Sequence, residues 1–337
     1  MNELADTLPV LLALVLGAAV VLYVVLDGFD LGIGILFPFF PEEAQRDQVM
    51  NSVAPFWDGN ETWLVLGGVT LWAAFPKAFA IILPAVYIPV LVLLLALIFR
   101  GVAFEFRFVA KPRHRKWDAS FAVGSIVAAF AQGLVLGAIL EEIPVRNQEF
   151  AGTPLWWLSP FSVLCGLAVV AGYALLGATW LMLRTTGEVE RRARKFGPAL
   201  LALLLAFIVV VSVWTPLQFH RIAERWFSLP NLLFLSELPV ATALCAWFCW
   251  RGIRQGRSVL PFVCAVAIFL LAFLGLVVSN VPYLVPPVMT VWQAASHPST
   301  QLFYLVGAVI LIPMILAYTA LVFWLFRGKV GPGEGYH

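Results

Sequence analysis

Four carboxylates lie within apolar sequence near the start of the chain, and their side chains are the best placed to do chemistry. Asp27 and Asp30 belong to VVLDGFDLGIGILFPFF, and Asp58 and Glu61 belong to APFWDGNETWLVLGGVTLWAAFP. An aspartate at the centre of a membrane helix costs about 2.5–3.5 kcal/mol on insertion scales, so an ionisable residue there is a functional candidate by default. Each of the four could carry a proton, bind an ion or form half of a buried ion pair.

Arg100 is the cation that the predicted arrangement brings towards these acids, and three interpretations of the group compete. In the first, it pairs with Asp27, Asp30 or Asp58 and stabilises the helix bundle, since a guanidinium can bind a carboxylate through two hydrogen bonds. In the second, Asp58, at a helix entrance, passes protons, because burial disfavours the ionised form of a carboxyl. In the third, the acids bind a cation in a secondary transporter.

Two tryptophans flank the acids of the second motif. Trp57 precedes Asp58 and is most simply an interfacial or packing residue. Trp63 lies about one helical turn deeper than Asp58, where it either lines an apolar passage or packs in an ordinary way.

Histidine placement bears on cofactor binding, since a haem inside the bilayer needs axial ligands, usually His, Met or Cys. The four histidines lie in predicted loops or at the terminus: His114, His220, His297 and His337. The chain is therefore predicted to bind no haem through its own ligands. The four cysteines are interpreted as small apolar core residues, and no metal site is predicted.

Composition identifies the elements that must position these residues. The chain is 62% hydrophobic and 12% charged, whereas a soluble domain is about half apolar and about a quarter charged. It is therefore an integral membrane protein, and its net charge of +2 gives no sign of a nucleic-acid partner. Crossing a bilayer takes about 20 apolar residues. Nine segments qualify: 8–36, 56–75, 78–104, 119–140, 161–183, 197–217, 232–250, 258–281 and 301–326.

Nine short-looped helices predict an all-α, polytopic membrane protein. Residues 1–327 form a single integral membrane domain, and the Gly-rich segment 328–337 is a cytoplasmic tail that is expected to be disordered. The small residues Gly28 with Gly32, and the pair Gly67 and Gly68, are expected to let neighbouring helices approach closely.

The loop charges predict the orientation of the chain. Sixteen of the 21 lysines and arginines follow spans 1, 3, 5, 7 and 9, which places those loops in the cytoplasm. The N-terminus is then outside and the C-terminus inside. The four acids and Arg100 fall together in the cytoplasmic third of spans 1 to 3.

Long motifs carry a resemblance to a known family. Near the start these are LDGFDLGIGILFPF, MNSVAPFWDGNETWLVLGGVTLWAAFPKAFA and FRGVAFEFR; near the end they are VPPVMTVWQAASHPSTQ and IPMILAYTALVFW. The chain resembles subunit II of the cytochrome bd-type quinol oxidases over nearly its whole length. The sequence of the first motif and the short outer loops are closer to the cyanide-insensitive branch than to the longer enterobacterial type.

The resemblance implies a quinol:oxygen oxidoreductase in the bacterial cytoplasmic membrane. The partner, subunit I, would carry two b-type haems, a third haem of type d or b, and the quinol site. Subunit II binds no haem through axial ligands in this family. Its fold is two four-helix bundles, here spans 1–4 and 5–8, with span 9 peripheral. Some members hold a structural quinone in this subunit, and some add a small single-helix subunit.

The resemblance also implies roles for single residues. Asp58 matches an acid at the subunit interface that is assigned to the proton route from the cytoplasm. Trp63 matches a residue at the mouth of an apolar oxygen channel. Glu61 stands where some members have Gln, so its membership of the proton route is open. Supporting roles are expected for Asp27, Asp30, Arg100 and Trp57.

Two other interpretations of the chain remain. One is a stand-alone secondary transporter whose buried carboxylates bind an ion or a substrate. The other is a purely structural assembly subunit that takes no direct part in proton transfer.

Overall fold

The computed structural model describes residues 2–110, 114–331 and 333, without the side chains of residues 2–5. The predicted loop cations Lys111 and Arg113, and residues 332 and 334–337 of the predicted tail, lie outside the described residues. The described chain is helical apart from two short hairpins and the loops, which confirms the predicted all-α membrane fold.

Within the described residues, nine long helices overlap the nine predicted spans. They are α1 (Asn2–Leu36), α3 (Trp57–Ala74), α4 (Pro76–Val109), α5 (Arg115–Leu140), α6 (Pro160–Arg184), α7 (Gly187–Gln218), α10 (Glu237–Arg254), α11 (Val259–Asn280) and α13 (Pro298–Leu325). The short helices are α2 (Glu43–Asn51), α8 (His220–Phe227), α9 (Asn231–Leu235) and α12 (Val291–Ala294). The hairpins pair β1 (Val145–Arg146) with β2 (Glu149–Phe150) and β3 (Tyr283–Val285) with β4 (Met289–Thr290), both antiparallel.

Among the described residues, eight helices are long and apolar enough to cross a membrane. The remaining long helix, α3, has 18 residues and begins with the polar sequence WDGNET, so it falls outside that set. A ninth crossing, the two-bundle grouping and the orientation of the chain stay predictions.

Helices α1 and α6 form the centre of the structure. Helix α1 packs against α3, α5, α6 and α13, and α6 also packs against α5, α7 and α11. Helix α13 contacts α1 and α3 and is mostly exposed.

The crossing of α1 and α6 depends on glycine. A Cβ on Gly32 would lie 1.8 Å from the carbonyl oxygen of Tyr173, and a Cβ on Gly177 would lie 2.4 Å from the carbonyl carbon of Gly32. A Cβ on Gly28 would lie 2.8 Å from a ring carbon of Tyr173. Because only glycine lets two helix backbones come this close, the predicted close-packing face at Gly28 and Gly32 is confirmed.

The prediction of a second close-packing face, at Gly67 and Gly68, is wrong in part. A Cβ on Gly67 would make only ordinary contact with Ala19, at 3.8 Å, and one on Gly68 would meet nothing within 4 Å. Gly68 is exposed on α3, so neither residue is required for helix packing within this chain.

An aromatic cluster joins four helices next to the glycine crossing. Phe29 of α1 stacks on Trp180 of α6 with ring centroids 4.1 Å apart. Phe262 of α11 and Phe323 of α13 meet Phe29 edge to face. Rings in such pairs add attraction beyond the area they bury, so this cluster fixes the four helices against one another.

Val330, in the predicted tail 328–337, is held in place by hydrogen bonds, whereas disorder was expected there. The amide of Val330 donates to the Arg184 carbonyl at 2.7 Å, and Gln48 Nε2 donates to the Val330 carbonyl at 2.8 Å. Val330 also forms an isolated parallel bridge with Thr185. Sequence composition missed this docking because each bond uses a backbone group of residue 330.

We expect Gly32→Ala to prevent the α1–α6 approach. The methyl group would collide with the Tyr173 backbone, and overpacking of this kind typically costs about 1–3 kcal/mol. Thermal unfolding and the yield of monodisperse complex in detergent measure the loss. Gly17→Ala on the same helix is the matched control, since its Cβ would meet only Phe273, at 3.7 Å. Equal stability of the two variants would contradict this account of the crossing.

Candidate functional site

The structure gathers three of the four predicted acids around Arg100. Its Nη1 lies 3.3 Å from Asp27 Oδ1 and 2.5 Å from Glu61 Oε1, and its Nη2 lies 3.9 Å from Asp30 Oδ2. Arg100 and the two aspartates are fully buried, whereas the Glu61 side chain is 24% exposed. These four residues are called the Arg100 cluster.

Helix geometry explains why these residues meet. Asp27 and Asp30 are three apart on α1 and share a face. Gly28 and Gly32 lie on the roughly opposite face, which packs against α6. The glycine face therefore turns the two aspartates away from α6, towards α3 and α4.

Two aromatic rings enclose the guanidinium. The rings of Trp57 and Phe104 each have their centroid 5.5 Å from the central guanidinium carbon of Arg100. They also stack on each other, with centroids 5.0 Å apart and planes within 3°. Because the rings offer their negative faces to the cation, Trp57 packs over the cluster and adds to its stabilisation.

Asn60 belongs to the site although the sequence reading did not single it out. It is buried on α3, and its Nδ2 donates to Asp30 Oδ2 at 2.7 Å and to the Leu26 carbonyl at 3.3 Å. Its position between Asp58 and Glu61 in WDGNETW was the feature of the sequence that could have identified it.

A chain of polar side chains continues beyond the cluster and was also missed. Tyr173 of α6 donates its hydroxyl hydrogen to Gln132 Oε1 of α5 at 2.6 Å, and Gln132 Nε2 donates to the Tyr23 hydroxyl of α1 at 2.8 Å. Tyr23 precedes Asp27 by one turn, on the same face of α1. The i, i+4 spacing of Tyr23 and Asp27 was the signal in the sequence.

Asp58 lies outside the Arg100 cluster. It is exposed on the first turn of α3, and the ion pairs of Arg100 in the described residues are with Asp27, Asp30 and Glu61. The considered pairing of Arg100 with Asp58 is therefore wrong in this structure. The helix N-terminus, rather than a guanidinium, provides positive potential for the Asp58 carboxylate.

Trp63 is enclosed by the chain. Its side chain is 1% exposed, and its indole nitrogen has no hydrogen-bond partner in the described part of the structure. The residue thus presents a buried, chiefly apolar surface about one turn beyond Asn60.

A second buried ion-pair group lies two turns further along α4. Arg107 is fully buried, donates to Asp118 Oδ1 at 2.6 Å and pairs with Asp47. Arg46 donates to the other oxygen of Asp118, at 2.9 Å. These contacts tie α2 and α4 to the start of α5. The spacing of seven between Arg100 and Arg107 places both on one face of α4 and was a signal for this group.

Two of the three described histidines pair with a residue of their own loop or helix, and Nδ1 of buried His114 has no hydrogen-bond partner in the described structure. His114 Nε2 lies 3.9 Å from Asp118, His220 pairs with Glu224 at 3.1 Å, and His297 caps α13 at Ser299. His337 lies outside the described residues. No group of three or more histidines, cysteines or acids that could hold a metal ion occurs within 2–110, 114–331 and 333.

Comparison with known proteins decides the family. The family model described as "Cytochrome bd terminal oxidase subunit II" matches residues 8–326, nearly the whole chain. The chain belongs to the cytochrome bd oxidase subunit II family. It is therefore a subunit of a cytochrome bd-type oxidase and a multi-pass membrane protein, which confirms the resemblance seen in the motifs. Its place in the cyanide-insensitive branch stays a prediction.

Relatives and solved structures agree with this membership. "Cytochrome bd-I ubiquinol oxidase subunit 2" of Escherichia coli (strain K12) is 28% identical, over 94% of this chain and 93% of that protein. "Cytochrome bd ubiquinol oxidase subunit 2" of Bacillus subtilis (strain 168) is also 28% identical, over 92% and 93%. A chain in the structure of bd oxidase from Geobacillus thermodenitrificans has a TM-score of 0.80 at 17% identity, covering 95% of this chain and 98% of that one, which shows a shared fold.

We expect Arg100→Gln to destabilise this bd oxidase subunit strongly. The change leaves Asp27 and Asp30 buried without their cation, and removal of one partner of a buried ion pair typically costs about 3–5 kcal/mol. Thermal unfolding of the purified complex measures the effect. Arg191→Gln is the control, because Arg191 is 81% exposed and its ion pair in the described structure is with Glu188. The Arg100→Gln/Asp27→Asn double variant should recover part of the loss; an Arg100→Gln complex as stable as wild type would refute the role of the cluster.

Proposed function

We propose that this chain is subunit II of a terminal quinol oxidase of the bacterial cytoplasmic membrane. With a haem-bearing subunit I it couples the oxidation of two quinols to the reduction of one oxygen molecule. The four electrons of the quinols and four protons from the cytoplasm convert the oxygen molecule into two waters. The observation that carries the proposal is the family match over residues 8–326. Two relatives, each matched over 93% of its length, are named as ubiquinol oxidase subunits.

The haems of the complex would lie in subunit I, where they supply electron transfer and oxygen reduction. Two of the three described histidines, His220 and His297, contact neighbouring side chains, which supports a subunit without axial ligands of its own. The proposal includes nine crossings with the N-terminus outside. A structural quinone in this subunit and a small single-helix partner are part of the proposal as features of some family members.

In this proposal Asp58 takes up protons from the cytoplasmic side at the contact with subunit I. Its exposure on the first turn of α3 supports the assignment, since a carboxylate that faces outwards is available to a partner chain. Glu61 lies one turn further along the same helix and reaches from the partly exposed surface to buried Arg100. It is the residue through which the Arg100 cluster would communicate with Asp58.

The proposed oxygen path passes Trp63. Oxygen is apolar and partitions into apolar surroundings, and Trp63 is buried on an apolar stretch of α3 that begins directly after the acids. The same helix would then contribute to a proton route at its start and to an oxygen route further in.

The contacts of Arg100 argue against a secondary transporter. A carboxylate that coordinates a transported cation needs free oxygens around an open site. Here one guanidinium already reaches Asp27, Asp30 and Glu61, and two rings cover it.

We expect Asp58→Asn to slow oxidase turnover while leaving assembly and haem content near wild type. The amide keeps the shape of the side chain but cannot release a proton, and loss of one proton-transfer group typically lowers a rate about 10²–10⁴-fold. Oxygen consumption with a soluble quinol measures the rate. Asp6→Asn, an exposed carboxyl near the N-terminus, is the control. A wild-type rate in fully assembled Asp58→Asn enzyme would assign Asp58 a structural role.

The second test is purification of the chain from its native membrane. We expect a coloured complex that contains a second, haem-bearing subunit, and a reduced-minus-oxidised visible spectrum with haem bands. The spectrum follows from haems bound in subunit I. A colourless preparation of this chain alone would overturn the oxidase proposal and favour the transporter.

A further inference from the structure

The Arg100 cluster holds more negative groups than positive ones. Three carboxylates face one guanidinium, and in the described part of the chain Arg100 is the only cation in ion-pair contact with Asp27 or Asp30. Arg107, the next cation along α4, already forms ion pairs with Asp47 and Asp118. Glu61 is partly exposed, so water or a partner chain can balance its charge.

The charges of the two aspartates cannot be balanced by water or a partner chain in this way. Both are fully buried, and a buried charge without a partner costs far more than its neutralisation by a proton. When carboxylates share a site in this way, they bind a proton as a pair. We infer that Asp27 and Asp30 together hold one buried proton beside Arg100, which exchanges with the surface through Glu61.

The neighbouring groups favour Asp30 as the residue that carries the proton. The guanidinium is closer to Asp27, at 3.3 Å, than to Asp30, at 3.9 Å. The Tyr23 hydroxyl accepts from Gln132, so its own hydrogen is not used in that bond, and neither oxygen of Asp27 has a hydrogen-bond partner in the described structure. The shorter contact with Arg100 therefore makes Asp27 the ionised partner.

Asp30 receives a single donor, the Asn60 amide, on Oδ2, and its Oδ1 has no partner in the described structure. The polar groups around the aspartates come from five helices: Tyr23 from α1, Asn60 and Glu61 from α3, Arg100 from α4, Gln132 from α5 and Tyr173 from α6. Arg100 is the one cation in this set.

Glu61 is the exchange point because it alone of the three acids combines surface exposure with a bond to Arg100, from Nη1 at 2.5 Å. The cluster would then store a proton near Asp58. This inference extends the proposed uptake of protons by this subunit and rests on that proposed function. The existence of the buried proton follows from the charges alone.

Infrared spectroscopy of the whole purified oxidase tests the inference. A protonated carboxyl has a C=O stretch at higher frequency than the carboxylate bands, and this stretch shifts in D₂O. We expect the wild-type minus Asp30→Asn difference spectrum to contain one such band. Asp27→Asn should lose the same band, since the remaining aspartate then ionises to pair with Arg100. Glu61→Gln should keep the band and slow its shift in D₂O.

Assembly gives an independent readout. Asp30→Asn imitates the protonated acid in shape and charge, so it should assemble and unfold like wild type, whereas Asp27→Asn should unfold at a lower temperature. Protonated-carboxyl spectra that are unchanged in both asparagine variants would overturn the inference. If neither variant assembles, ¹³C-aspartate labelling of wild type replaces them, and a spectrum insensitive to the label overturns it equally.

Asp58→Asn separates this inference from the proposed function. That variant should keep the buried-carboxyl band. A wild-type rate in Asp58→Asn would defeat the proton route while the band still reports the store, and an absent band would defeat the store while slow turnover still supports the route.

Discussion

A guanidinium that is enclosed by protein has lost its water, so its charge must be balanced by side chains from neighbouring helices. Arg100 is in this position, and it draws Asp27 and Asp30 of α1 and Glu61 of α3 to one point on α4. In lipid, apolar faces give little drive for helices to associate. A buried ion pair therefore specifies which helices meet and at which height, and it places the acids of the candidate site.

The same helix α1 is fixed independently on its other side. Gly32 lies against the Tyr173 backbone so closely that no side chain fits between α1 and α6. Tyr173 also begins the hydrogen-bond chain that reaches Tyr23 through Gln132. Glycine packing and buried polar contacts thus act on one helix from two directions, and a change in the α1–α6 distance would move the aspartates relative to Arg100.

The fold was largely predictable from the sequence because each long apolar run is one helix. Asp27, Asp30 and Arg100 were predictable as a group for the same reason: buried charges are few and must be paired. The role of Asn60 and Gln132 was not predictable, since a single polar residue in an apolar run does not reveal which neighbour it faces. The docking of Val330 was missed because backbone groups carry no residue-type signal, and the exposure of Asp58 depends on how α3 is rotated against α1 and α4.

Asp58 is exposed one turn before Glu61 on α3, whereas Asp30 is fully buried in the Arg100 cluster that Glu61 joins, so the two acids would have different tasks in the proposed proton route. An exposed carboxylate exchanges protons directly with water, while a fully buried carboxyl exchanges one only through a neighbour. Glu61 touches the buried guanidinium and is itself partly exposed, so it has access to both environments. Proton uptake and proton storage then require different burial, and the first turns of α3, packed against α1, provide both.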